Sequence, residues 1–138
     1  MKKRSFSEII DKYKDNAIYS SKHYSALLLS DSSILTERMM SKEQIIKHLK
    51  GMMAYLALIG IRENVDIEMV DKAFDSFIWS EMTRKDVTQW MLASLVNLDN
   101  ALLNRSVYGA DVSDNIADCY TALRVYLLGY ADFDSFLI

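Results

Sequence analysis

No proline interrupts this chain, and only four of its 138 residues are glycine. Proline breaks helix interiors, and glycine supplies the positive φ that tight hairpin turns need. A chain nearly free of both has few means of building sheets and few reasons to end helices early. The expected fold class is therefore all-α. Hydrophobic residues at 51% and charged residues at 25% support a packed core rather than a disordered or disulfide-held scaffold. With no Pro/Gly-rich linker or abrupt change in composition, residues 1–138 read as a single domain.

Apolar periodicity and capping residues place about five helices. The first runs from Ser5 to Leu29, opened by the capping box Ser5-Phe-Ser-Glu8, with Phe6, Ile9, Ile10, Tyr13, Ala17, Tyr24 and Leu28 turned inward. The second starts at a similar box, Ser41-Lys-Glu-Gln44, buries Ile45, Leu49, Met52, Met53, Leu56 and Ile59, and stops at Gly60. Asp66 caps a third helix that ends near Trp79, with Ile67, Val70 and Phe74 inward. The fourth spans Thr83 to Asn104 on Val87, Met91, Leu95, Leu98 and Leu102. RSVYGA then connects to a fifth that opens at Asp111 or Ser113. The second and third helices align with the fourth and fifth, so two helical hairpins forming a four-helix core are expected. The first helix would lie across that core or join two copies.

Several functions are disfavoured at once. The N-terminal decapeptide MKKRSFSEII lacks the apolar run of a secretory signal, and the longest apolar stretch, Gly51 to Ile61, is about half of a membrane span. A cytoplasmic location without membrane contact is expected. Cys119 is the only cysteine and falls in an apolar helical pattern, where a small core residue is the simplest reading. His23 and His48 are distant in sequence and belong to no zinc-protease pattern; each reads as a surface or helix-edge residue. No phosphate-cradling glycine loop, serine nucleophile elbow or Cys/His cluster occurs.

Charge is unevenly spread: residues 1–50 hold ten Lys/Arg and six Asp/Glu, whereas 106–138 hold one Arg and five Asp. The basic residues Lys2, Lys3, Arg4, Lys12, Lys14 and Lys22 are interrupted by acids in a chain of net charge −3. Nucleic acid is thus not the expected partner, although binding through the basic first helix remains an alternative reading.

The fifth helix carries the most suggestive chemistry. Ile116, Tyr120, Leu123 and Leu127 share one face, and Asp118, Ala122, Val125 and Gly129 share the other, so the helix is expected to be buried on both sides with Asp118 a partly buried carboxylate. Asp111 and Asp114 sit where a helix N-terminus favours negative charge. Taken together, SLVNLDNALLN and DNIADCYTALRVYLLGYADFD resemble, over residues 87–134, the paired helices of the all-α MazG-like nucleotide pyrophosphohydrolases. In that family an E-x-x-E helix and an E-x-x-D helix hold magnesium on a triphosphate. The resemblance puts Ser94 and Asn97 at the first acidic pair and Asn115 and Asp118 at the second. Only Asp118 keeps a carboxylate, and magnesium prefers charged oxygen ligands.

Two readings follow, with nucleic-acid binding a third. The first is a non-enzymatic helical interaction protein, of a small accessory or inhibitor type, without a cofactor. It binds another protein through Trp90, Asn97, Asn100, Asn104 and Asp118, and a homodimer is a candidate assembly. The alternative is a MazG-like magnesium-dependent pyrophosphohydrolase with a rearranged acidic site drawn from Asp118, Asp114, Asp111 and Asp99, with Asp118 as the metal ligand.

Overall fold

In a computed structural model that describes residues 5–31, 42–75, 84–108 and 112–128, the Ser5 hydroxyl accepts the backbone N–H of Glu8 at 3.1 Å. Helix α1 (Phe6–Tyr13) starts on that cap. The single helix expected from Ser5 to Leu29 is broken. A 3₁₀ turn at Lys14–Asn16 leads into an extended Ala17, and α2 (Ser21–Asp31) begins afresh. Ser20 caps this second start, its hydroxyl accepting the N–H of His23 at 3.2 Å. The Tyr24 phenol then satisfies a backbone donor freed by the break, accepting from Ile18 N at 3.0 Å.

Helix α3 (Lys42–Arg62) runs past Gly60, the expected stop. It ends instead at Asn64, whose φ of 55° is left-handed. Val65 N donates to Gly60 O at 2.9 Å and Asn64 N to Ile61 O at 3.2 Å, the paired bonds of a Schellman ending with asparagine at the position usually taken by glycine. Gly60 has a different task. A Cβ there would lie 2.7 Å from the Phe6 ring, so its bare backbone makes room for a buried aromatic that contributes about 2 to 3 kcal/mol by leaving water. Gly51 likewise admits a neighbour, since a Cβ there would lie 2.1 Å from the carbonyl oxygen of Asn16.

Asp66 caps α4 (Ile67–Asp75) as expected, accepting from Glu68 N at 2.9 Å. Helix α5 (Arg84–Tyr108) continues beyond Asn104 into the stretch expected to connect, and α6 (Val112–Leu128) follows. The fold is an all-α bundle, with six α-helices and no strand among the described residues. The capping residues Ser41 and Thr83, the third-helix end at Trp79, and Asp111 lie outside the described residues. None of the described helices is long and apolar enough to cross a membrane.

Helices α5 and α6 form the most extensive pair, as the hairpin reading expects, but α4 packs chiefly on α6 and not on its sequence neighbour α3. Helix α1 and the 3₁₀ turn lie along α3, while α2 lies along α5. One core cluster joins all six helices, with Ile9, Leu28, Met52, Leu56, Leu95, Leu98 and Leu123 among its fully covered members. The buried Tyr120 phenol donates to Met53 O at 3.1 Å, tying α6 to α3. Methionines 52 and 53 and tyrosines 120 and 126 are therefore core, not surface.

Candidate functional site

Helix α5 buries Val87, Thr88, Met91, Ser94, Leu95, Leu98 and Ala101. The opposite side is consequently fixed in the solvent. Between Gln89 and Leu103 every exposed side chain is uncharged: Gln89, Ala93, Val96, Asn97, Asn100 and Leu103. Val96 is 45% exposed and Leu103 78%. At 1.5 Å per residue the strip is about 21 Å long, and apolar and amide groups alternate along it.

The residues singled out from sequence only partly converge on this strip. Asn97 and Asn100 lie in it. Asn104 is half-buried at its end, its amide donating to the Asn100 carbonyl oxygen at 2.9 Å. Trp90 is half-buried and packs against the core. Asp118 belongs to α6, and it is exposed, contrary to the partly buried carboxylate expected. Helices α3, α4 and α5 all pack on α6 and cover Ala122 as foreseen, but they leave open the edge that bears Asp114 and Asp118. Partial desolvation there still raises the Asp118 carboxyl above the usual range. Val96 and Leu103 were missed because apolar residues surround α5 on several sides, and periodicity alone does not say which of them its neighbours will cover. The absence of Lys, Arg and Glu from residues 86–104 was the available signal.

Of the alternative acidic set, Asp111 lies outside the described residues. Asp114 is exposed in the first turn of α6, and Asp99 is half-buried, accepting the Ser21 hydroxyl at 2.7 Å. Asp99 and Asp118 both lie close enough to Cys119 to add to the effect of burial, which pushes its thiol up to about 12. Of the family-like positions, Ser94 is buried, Asn97 exposed and Asn115 half-buried. Among the described residues no three His, Cys, Asp or Glu side chains come together as a group able to hold a metal ion.

A second polar feature joins α2, α3 and α5. Ser21 has one hydroxyl hydrogen, which goes to Asp99, so in the Ser21–Tyr55 hydrogen bond the phenol is the donor. Burial raises the Tyr55 phenol, and the nearby Asp99 charge adds to this. Tyr55 also touches the rings of Tyr19 and Tyr24, with centroids 6.4 Å and 5.6 Å away. A nucleophilic serine needs a base such as imidazole within hydrogen-bond reach, whereas the bonds here join Ser21 to a carboxylate and a phenol. The arrangement pins three helices and explains why Tyr55 falls off the main apolar side of α3.

Beside it, the chain's two histidines meet, with ring centroids 5.7 Å apart and planes tilted by 44°. The reading of each as an isolated edge residue is thus corrected. Only the fold reveals the pair, since 25 positions separate His23 from His48. Burial and the neighbouring His23 hold the His48 imidazole below the usual range.

Compared with protein-family models, with curated proteins and with solved structures, the chain matches none.

Proposed function

We propose that this protein is a helical interaction module that docks another protein on the outer strip of α5. The supporting observation is the uncharged strip from Gln89 to Leu103, with two large aliphatic side chains in solvent. Outward faces of bundle helices ordinarily carry charge, whereas the centres of protein interfaces are depleted in charge. Val96 and Leu103 offer area to a complementary surface, and Asn97 and Asn100 offer directional hydrogen bonds at its rim.

A photo-crosslinking residue at Asn100 tests the reading, with the same residue at the exposed Asp11 of α1 as a control. In extracts of the native host, Asn100 is expected to capture one protein that Asp11 does not. Purified, that protein should bind the intact chain and lose affinity about tenfold or more to a V96R/L103R variant. If both positions give the same adducts, or if the charged variant binds as well as the original, α5 is not the docking surface.

A further inference from the structure

We infer that His23 and His48 form a two-histidine clip for a divalent transition-metal ion, bridging α2 and α3. Three observations converge on it. The chain has only two histidines, and the fold brings them together from different helices at a centroid distance of 5.7 Å. Two imidazoles sharing one ion at about 2.1 Å per nitrogen hold their ring centroids about 5 to 6 Å apart. Finally, His23 Nε2 is buried and has no hydrogen-bond partner, and a bound ion would satisfy it.

The surroundings suit the same ligand. The Tyr24 ring stands nearly perpendicular to His23, at 80° and 5.1 Å, and limits how far that imidazole can turn. Both histidines are half-buried, so the pair lies near the surface even though His23 Nε2 itself is covered. An imidazole must be neutral to ligate. Imidazole nitrogen favours zinc, nickel and copper over magnesium and calcium, which take oxygen ligands. Two protein ligands make an exchangeable site rather than a permanent one. The clip stands independently of the α5 docking surface, since its ligands lie on α2 and α3.

The test uses the full chain without any added histidine tag, titrated with zinc, nickel or magnesium chloride. Imidazole NMR signals are followed alongside thermal unfolding. Zinc and nickel should move both histidine signals together, saturating at one ion per chain. They should also raise Tm by about 5 °C at ten times the dissociation constant. Magnesium should do neither. The single variants H23Q and H48Q should each weaken binding at least tenfold. The clip is overturned if millimolar zinc and nickel leave both signals unmoved, if the two signals respond in separate transitions, or if folded H23Q or H48Q binds as the original does. Should either variant fail to fold, the two signals of the unaltered chain still decide.

Discussion

Replacing Gly51 by alanine is expected to destabilise the fold by about 2 kcal/mol and to lower Tm by about 8 °C. In an open helix the same change would stabilise by roughly 0.5 to 1 kcal/mol, because alanine loses less backbone freedom. Here the sign reverses. The new Cβ would stand 2.1 Å from the oxygen and 2.6 Å from the carbon of the Asn16 carbonyl. Both are backbone atoms, so the 3₁₀ turn must move away from α3, and some of the α1 contact goes with it. Gly60→Ala is the internal comparison, since the three atoms nearest its Cβ would all belong to the Phe6 ring, a side chain able to shift. Thermal unfolding should rank the original above G60A and G60A above G51A. A G51A protein as stable as the original would mean that the close approach of turn and helix is not maintained in solution.

The second large effect is expected at Asp71. Arg124, only 1% exposed, donates to the Asp71 carboxylate at 2.6 Å, and Asp71 is 23% exposed. Its guanidinium also lies 5.9 Å from the centre of the Tyr120 ring. Removing one partner of such a pair leaves a charge less well neutralised in a medium that solvates it poorly. Asp71→Ala should therefore cost about 3 kcal/mol, the lower end of what broken buried pairs lose, because Asp71 itself keeps some contact with water. Replacing both partners, D71A with R124M, should restore most of the loss, since an apolar side chain of similar length needs no counterion. Urea unfolding of the two variants checks the claim. A loss under about 1 kcal/mol in D71A would show that the ion pair does not anchor α4 to α6.

Much of this architecture is legible in the sequence. Lack of proline and glycine fixes the all-α class, the Ser5 and Asp66 caps mark real helix starts, and apolar spacing identifies most of the core. What escapes depends on packing between distant segments. The break after Tyr13 lies within a pattern that reads as helical, and only the serine pair at 20 and 21 hints at a new start. Asn64 takes the left-handed position that a search for glycine assigns to Gly60. Arg124 counts as a surface charge in any tally of composition, yet its partner lies 53 positions away in α4. The candidate sites divide the same way: the amides of α5 are visible as a pattern, but the exposure of Val96 and Leu103 and the meeting of His23 with His48 require the fold.

Cys119 gives the molecule a clock. Its thiol is fully covered and pushed up to about 12, so an alkylating reagent at neutral pH finds neither access nor thiolate while the bundle is closed. Modification of the single sulfur then proceeds only through opening, and its rate reads the open population directly. If that opening is global, the loss of about 2 kcal/mol in G51A should speed labelling roughly thirtyfold. An equal rate in both proteins would place the opening in a local movement around α6 that leaves the turn against α3 intact. A residue without an assigned task in the fold thus records how often, and how widely, the chain comes apart.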